Sequence, residues 1–371
     1  MVETAPLSFK PKNALFIFAG VFLLGFIFFI FGVAPVQFPD KSMWADQIMF
    51  FETGDIRQYD FFLAYGHPGT PLVELGYLLH TVFQVPYVRA VELALGLLTC
   101  GVTACCAVLC YRLSPHSDWW LFAAMTLLLN RLSAHGTPPT MAVMPLIVLI
   151  VLVTWWLWDV PSPLEGRFSL LWGAVFGLSI ATRIDATVVV GGVMWLLLCF
   201  RFGLLQMLPA VAGGLLSFYL FDPYFWFMPV QHAVDLVHKF TIHYKGSSIH
   251  STIDAVDWLH TLLFTVISLC WMLGLAYRRR LFRIVPVKIL SVYLATFLVA
   301  TLVIVTSKFQ DARYFYPLIM FWEVLLPLLV LETYQARCEL GEGHDFRRRT
   351  VLPYAIVIFL LVAQLGSHLI L

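Results

Sequence analysis

The residues best suited to chemistry are acids that follow the first long apolar run. Asp40, Asp46, Glu52 and Asp55 fall within sixteen residues. A carboxylate held beside a hydroxyl can take its proton, and neighbouring carboxylates can also bind a divalent cation such as Mg²⁺ or Mn²⁺. Asp40 follows a proline and is equally suited to cap a helix. For Glu52 and Asp55 a solvated polar face is the simpler interpretation.

The spacing around these acids predicts a helix in the membrane interface. Trp44, Ile48 and Phe51 recur at near-helical intervals and form an apolar stripe, whereas Asp46 and Gln47 fall largely off that stripe. An apolar stripe beside a polar face is typical of helices that lie flat on a bilayer. The first loop can therefore hold acids at the height of the lipid headgroups.

A second interfacial helix is predicted over residues 228–244. Its apolar residues share one helical face, but His232, His238 and His243 are not spaced for joint metal binding. The preceding segment PYFWF, residues 223–227, resembles an aromatic anchor at the interface. A platform for a sugar ring is the alternative interpretation of these aromatic residues.

Cationic side chains lie near the ends of two apolar segments. Arg183 lies in GLSIATRID, and Lys308 and Arg313 lie in SKFQDARYFYPL. Long cationic side chains at such ends can simply extend toward the headgroups. The guanidinium fork of arginine also matches phosphate oxygens bidentately, so an anionic lipid phosphate is a natural partner.

The composition indicates an all-α integral membrane protein. Of the 371 residues, 60% are hydrophobic and 12% are charged, whereas soluble domains carry about 25% charged residues. The net charge of +1 gives no indication of nucleic acid as a partner. With about 20 apolar residues for each crossing, the sequence predicts about 11 transmembrane helices. They are expected at 14–35, 88–111, 118–131, 139–158, 168–184, 185–201, 203–221, 258–277, 287–306, 314–333 and 351–370.

Basic residues predict which side of the membrane each loop faces. Lys and Arg cluster at 278–283 and 347–349, and short loops rich in these residues stay in the cytoplasm. The N-terminus is then cytoplasmic, and the loops 36–87 and 222–257 are extracytoplasmic. We therefore expect a multi-pass protein of a plasma membrane, an inner membrane or the endoplasmic reticulum.

A single membrane domain over residues 1–371 is expected, with no separate soluble domain. The orientation is consistent only if residues 67–83 form a juxtamembrane or re-entrant helix. The alternative, in which this segment crosses the membrane and another weak segment does not, stays open. The first apolar run, Asn13–Val36, is too long for a cleaved signal peptide and is expected to be a span.

Several short segments resemble the GT-C superfamily of polytopic glycosyltransferases. The resemblance is to protein mannosyltransferases that use dolichyl-phosphate mannose and to the aminoarabinose transferase of lipid A. Those proteins have an acid soon after the first span, an aromatic residue four positions later, a Gly-Asp pair and then a proline-rich turn. The matching segments here are Asp40, Trp44, Gly54-Asp55, His67-Pro68-Gly69-Thr70-Pro71-Leu72, the Thr-Arg pair of GLSIATRID, and Arg313-Tyr314-Phe315-Tyr316-Pro317.

The resemblance implies transfer of a sugar from a polyprenyl-phosphate carrier to an acceptor hydroxyl on the extracytoplasmic face. The acceptor would be a glycolipid, a polysaccharide or a protein, and direct displacement would invert the anomeric centre. Asp40 is expected to be the general base, with Asp46 in reserve. A divalent cation is left open, because some members of the superfamily use one and others do not. Substrate contacts are expected from Arg313, Arg183, Lys308, His67, Trp44 and Tyr314.

Two other classes of protein remain as alternatives. A transporter or lipid flippase would usually show repeated halves and binding groups near the middle of the membrane. The sequence has no visible repeat and almost no charge near the middle of its predicted spans, Glu323 being the main exception. The third class is a non-catalytic membrane assembly factor, in which the acids of the first loop would be dispensable.

Overall fold

A computed structural model describes most of the first two thirds of the chain and several shorter segments beyond it. All regular secondary structure in the described residues is helical, which confirms the all-α prediction at that level. The described residues are 11–30, 41–54, 69–113, 119–129, 138–159, 166–235, 237, 266, 268–270, 272–273, 285–306, 321–325 and 328–329.

The helices follow the predicted apolar segments to within a few residues. They are α1 (Pro11–Ile30), α2 (Lys41–Thr53), α3 (Thr70–Phe83), α4 (Tyr87–Leu113), α5 (Trp119–Leu129), α6 (Pro138–Asp159), α7 (Gly166–Thr182), α8 (Ile184–Phe202), α9 (Leu204–Leu220), α10 (Tyr224–Phe227) and α11 (Val285–Thr306), with a π-helical turn at Phe321–Leu325. A further helical stretch covers residues 229–235.

Three of these helices are long and apolar enough to cross a membrane. They are Lys12–Ile30, Tyr87–Leu113 and Ala142–Asp159. Shorter apolar helices are Arg167–Thr182, Thr187–Phe202, Leu204–Leu220 and Val287–Val299. The predicted spans at 258–277, 314–333 and 351–370 lie mostly or wholly outside the described residues.

The main hydrophobic core surrounds α6, which packs against α4, α7, α8 and α11. One polar pair lies inside this core. The indole Nε1 of Trp172 on α7 donates a hydrogen bond of 2.9 Å to the hydroxyl of Thr154 on α6. A buried indole N–H needs such an acceptor, so the pair fixes α7 against α6.

Helices α7 and α9 pack backbone against backbone along a line of small residues. A Cβ atom on Gly173 would come closer than 3.0 Å to three backbone atoms of Ala210. A Cβ on Gly177 would meet the carbonyl oxygen of Gly214 equally closely, and Gly213 has the same relation to α7. The spacing Gly173-x-x-x-Gly177 allows helices in membranes to approach each other closely. We call Gly173, Gly177, Ala210, Gly213 and Gly214 the glycine seam.

Single residues separate α7, α8 and α9. Arg183 has an extended backbone, with φ −160° and ψ 123°, and interrupts the helical hydrogen bonding between α7 and α8. Gly203 has φ 90° between α8 and α9, a conformation that favours glycine. Because both breaks are so short, the chain reverses twice, and α9 returns to lie along α7.

A small cap lies at one end of the bundle. Helix α4 has 27 residues and is about 40 Å long, which exceeds the ~30 Å hydrocarbon thickness of a bilayer. On its first turns, Trp44 and Ile48 of α2 are buried with Ala90 of α4 and Tyr224 of α10. Helix α3 packs against both α2 and α4. We call α2, α3, α10 and residues 87–94 the cap.

Candidate functional site

Helix α2 packs against the rest of the cap with one polar side chain as well as its apolar stripe. Trp44 and Ile48 are buried, as their spacing predicts. Gln47 is also fully buried, and its Oε1 accepts a hydrogen bond of 2.8 Å from the Tyr224 hydroxyl. The prediction that Gln47 lies off the packed face is therefore wrong, because a buried partner on α10 satisfies its amide oxygen. This contact fixes the first-loop helix to the turn that follows α9.

Helix α3 begins at a sharp turn whose geometry depends on glycine. Gly69 has φ 55°, a left-handed conformation that glycine adopts without steric cost. Pro71 follows in the first helical turn, where its missing N–H leaves no hydrogen bond unmade. The Gly69 backbone N–H donates a hydrogen bond of 3.2 Å to the carbonyl oxygen of Thr182. The start of α3 is therefore tied to the end of α7.

The hydroxyl of Thr70 lies where three segments of the chain meet. It is 3.1 Å from the carbonyl oxygen of Ala181, and it also contacts the carbonyl oxygen of Phe221. Ala181 belongs to the last turn of α7, and Phe221 directly follows α9. The start of α3 and the ends of α7 and α9 therefore converge, and we call this place the junction.

A buried acid and a buried histidine lie beside the junction. Asp222 and His232 are both 0% exposed, and Nε2 of His232 is 2.8 Å from Oδ2 of Asp222. The ring of Phe225 packs edge-on against the imidazole, with ring centroids 4.6 Å apart. Burial raises the pKa of the Asp222 carboxyl, whereas His232 and the backbone N–H of Tyr224 oppose that rise. Asp222 is thus a carboxyl held away from water by specific partners.

Glu74 brings a second carboxyl to the junction. It lies one helical turn after Thr70, and residues four apart share a face of a helix. Burial, and then the negative charge of Asp222, raises the pKa of Glu74 to about 8. The side chain is only half-buried. Glu74 therefore keeps its proton near neutral pH while remaining within reach of solvent.

Three of the predicted site residues lie in the described part of the chain, and all three fall at this end of the bundle. Trp44 is buried in the cap, and Asp46 lies half-exposed two residues further along α2. Arg183 directly follows Thr182, whose carbonyl oxygen binds the start of α3. The other predicted site residues lie outside the described part: Asp40, His67, Lys308, Arg313 and Tyr314.

The burial of Arg183 distinguishes it from an ordinary cation at a helix end. Arg183 is only 3% exposed, although it lies at a break between two helices. An arginine that only extends toward the headgroups keeps its charged end in water. A buried guanidinium instead needs anionic or carbonyl partners. Arg183 can therefore contact a phosphate only if that ligand reaches into the junction.

The sequence pattern did not single out Glu74, Asp222 and His232 as a group. They lie far apart in the chain, on α3, after α9 and in the helical stretch that begins at residue 229. No spacing rule connects such positions. The signal that could have indicated them is chemical, because each is a titratable residue beside strongly apolar sequence.

Within the described part of the chain, no three His, Cys, Asp or Glu side chains converge closely enough to hold a metal ion. No protein-family model, no curated protein and no solved structure matches the chain.

Proposed function

We propose that the protein is a membrane glycosyltransferase of the GT-C type, which moves a sugar from a polyprenyl-phosphate carrier to an acceptor hydroxyl. The acceptor is a glycolipid, a polysaccharide or a protein on the extracytoplasmic face. The same proposal includes about 11 transmembrane helices. It also includes an extracytoplasmic location for the cap, in the loops 36–87 and 222–257.

The observation that carries the proposal is the junction beneath the cap. A buried arginine, two carboxyls and a group of aromatic side chains lie together at one end of a bundle of apolar helices. A polyprenyl tail cannot leave the bilayer, so its phosphate stays at the level of the headgroups. A site for that phosphate therefore has to lie where membrane helices end, and the junction lies at such ends.

The first chemical requirement is a base. A hydroxyl is a weak nucleophile near neutral pH, and a positioned carboxylate that takes its proton speeds the attack. The resemblance to the superfamily assigns this role to Asp40, with Asp46 in reserve. Asp46 lies on the helix that covers the junction, next to the Gln47–Tyr224 contact. The oxygen of the acceptor then bonds to the anomeric carbon from the face opposite the phosphate, which inverts that centre.

The second requirement is stabilisation of the departing phosphate. The bond between the anomeric carbon and the phosphate oxygen breaks, and its electron pair stays on the phosphate. Cations aimed at that growing charge lower the barrier. Arg183 is the cation of this set in the described part of the chain, and Arg313 and Lys308 are its proposed companions. His67, Trp44 and Tyr314 are proposed to orient the sugar or the acceptor.

A transfer assay with purified protein tests the proposal. Radiolabelled polyprenyl-phosphate hexoses and pentoses are supplied with membrane acceptors, and the labelled product is measured for the wild type and Asp40→Asn. We expect transfer from at least one donor, and the resemblance implies a loss of about 10²-fold or more in Asp40→Asn. Arg183→Gln should also lose activity, whereas Arg89→Gln, at an exposed position on α4, should retain it.

The alternatives give different results in the same assay. A flippase would move labelled donor between the leaflets of a vesicle without transferring its sugar. An assembly factor would do neither, and its first-loop acids would be dispensable in cells. The absence of transfer from every donor by the wild type would refute the glycosyltransferase proposal.

A further inference from the structure

Glu74, Asp222 and His232 form a titratable group beside the apolar contacts of the cap. Leu72 and Val73 of the same helix supply apolar contacts to the cores beside it. Burying a carboxyl costs free energy unless hydrogen bonds compensate for the lost water. Among the described residues, none donates a hydrogen bond to the Glu74 carboxyl. A position of this kind therefore carries a cost that packing alone does not explain.

The second carboxyl of the group is incompletely satisfied. Oδ2 of Asp222 has His232 as its partner at 2.8 Å. Oδ1 is buried and lacks a hydrogen-bond donor within the described part of the chain. Buried polar atoms in native proteins are nearly always paired, and an orphaned acceptor often marks a functional site. The orphaned oxygen belongs to the residue whose charge acts on Glu74.

After burial, the negative charge of Asp222 is what raises the pKa of Glu74. Other charged or titratable side chains lie on every element that packs against α3, but in the described residues only Asp222 shifts the titration of Glu74. The contact between Thr70 and the carbonyl oxygen of Phe221 explains this selectivity, because it brings the turn at Asp222 against the face of α3 that carries Glu74. The other charged groups on these elements are Lys41, Asp46 and Glu52 on α2, Arg89, Glu92 and Arg112 on α4, Arg167 on α7, Arg183 after α7, and the potentially charged His232.

We propose that Glu74, positioned by the Asp222–His232 pair, is the carboxylate that accepts the proton of the acceptor hydroxyl, in place of the first-loop acids. The inference rests on the proposed glycosyl transfer. The acceptor O–H bond breaks, its proton passes to Glu74, and its oxygen bonds to the anomeric carbon. The bond from that carbon to the phosphate breaks with its electrons on the phosphate. Glu74 then releases the proton to water at its exposed edge.

The geometry gives each member of the group a distinct role. Glu74 is half-exposed and can touch a substrate, whereas Asp222 and His232 are fully buried and cannot. Asp222 therefore acts through Glu74 as a positioning residue. Its negative charge makes Glu74 a stronger base. A base is most effective when its pKa lies near the working pH.

A comparison of pH–rate profiles tests this assignment in the purified full-length protein. The wild type, Glu74→Gln, Asp222→Asn, Asp40→Asn and the control Glu92→Gln are assayed for sugar transfer. Glu92 is a suitable control because it is an acid on α4 that already pairs with Arg89 at 2.8 Å. We expect Glu74→Gln to lower kcat by about 10²-fold or more with little change in KM. Glu92→Gln should retain most of the kcat, and the relative losses in Glu74→Gln and Asp40→Asn show which carboxylate is the base.

Asp222→Asn gives the outcome that a purely structural role would not produce. In the wild type the rate should rise with pH as Glu74 loses its proton. Without the charge of Asp222 the pKa of Glu74 should fall, so the rising limb should move to lower pH. A limb that stays in place, or a Glu74→Gln variant with wild-type kcat, would overturn the inference. If Glu74→Gln is active and Asp40→Asn is not, only the inference fails. If the wild type transfers no sugar, the proposed function fails with it.

An activity-independent measurement guards against variants that fold poorly. The infrared carbonyl band of protonated carboxylic acids is followed against pH in the folded, detergent-solubilised protein. The inference predicts a band that disappears near pH 8 in the wild type. The band should be missing in Glu74→Gln and should disappear at lower pH in Asp222→Asn. The same band in Glu74→Gln as in the wild type would contradict it.

Discussion

The glycine seam and the junction lie on the same two helices and are packed by opposite means. Along the seam, α7 and α9 touch backbone to backbone, and small residues leave no room for any side chain. At the ends of these helices, the junction instead holds the half-buried Glu74 beside the fully buried Asp222 and His232. The seam is a close contact between the backbones of small residues, whereas the junction keeps side chains that are costly to bury. The difference indicates that the seam holds the bundle together, and it fits the proposal that the junction is the site of the chemistry.

Adding a side chain to the glycine seam should cause the largest loss of stability. We expect Gly173→Ala to destabilise the protein by about 3 kcal/mol or more, because its Cβ would overlap the backbone of Ala210. The folded yield and the midpoint of thermal unfolding in detergent measure the effect. Gly192→Ala is the matched control, since a Cβ there meets nothing within 4 Å. Equal stability of the two variants would show that the seam is not as tight as described.

Removing the charge of Glu74 should stabilise the protein at high pH. The pKa of Glu74 is about 8 in the folded protein, against an ordinary value of 4.5. Because the unfolded chain loses this proton first, the stability that the proton contributes is lost as the pH rises from the ordinary pKa through the folded one. Glu74→Gln should therefore gain on the order of 2 kcal/mol relative to the wild type above that window, allowing for partial exposure.

The pH dependence of this gain identifies its cause. Thermal unfolding of both proteins is measured from acidic to alkaline pH, and the two midpoints should coincide below the ordinary pKa of glutamate. A difference that is the same at every pH would mean that the substitution acts by packing and not by charge. Glu92→Gln should show no gain at alkaline pH, because Glu92 already pairs with Arg89.

Breaking the contact that joins α3 to the bundle should lower the stability moderately. Thr70→Val removes the hydroxyl that lies against the carbonyl oxygens of Ala181 and Phe221 while keeping the shape of the side chain. We expect a loss of about 1–2 kcal/mol in thermal stability. Thr81→Val, at an exposed position on the same helix, should change stability by less than about 0.5 kcal/mol. Indistinguishable variants would argue against a tight junction.

Removing the hydrogen bond between α2 and α10 should cause the smallest loss of stability. Tyr224→Phe removes the hydroxyl that donates to Gln47 and should cost about 1 kcal/mol. The double variant Tyr224→Phe/Gln47→Leu replaces both partners with apolar groups and should recover part of that loss, because no buried amide is then left unpaired. Additive losses in the double variant would show that the two side chains do not interact.

Much of the helical layout could be predicted from the sequence, because it depends on local composition. The apolar runs give α1, α4 and α6 to within a few residues, and the break near Arg183 falls where the Thr-Arg pair indicated it. The stripe of Trp44 and Ile48 correctly gave one packed face of α2. These features follow from the hydrophobicity and spacing of neighbouring residues, which a single sequence displays directly.

The contacts between distant segments could not be predicted in the same way. Gln47 was expected on the exposed side of α2, but its partner Tyr224 lies 177 residues away. The G-x-x-x-G spacing on α7 indicates a close helix neighbour, but it does not say that the neighbour is α9. The coupling of Glu74 to Asp222 likewise depends on how α3 meets the end of α9. Such contacts arise from tertiary packing, which local patterns do not encode.

Photo-crosslinking most directly tests the claim that the junction, and not the seam, receives the lipid-linked sugar. A polyprenyl phosphate with a photoreactive group next to the phosphate is bound to the purified protein, irradiated, and mapped by mass spectrometry. We predict labels in α2, in α3 and in the 221–228 segment, reduced by excess unlabelled polyprenyl-phosphate sugar and by Arg183→Gln. Labels that the unlabelled sugar donor reduces, but that lie only in the middle of α7, α8 or α9 and not at the cap, would contradict the account. They would favour a transport pathway through the bundle.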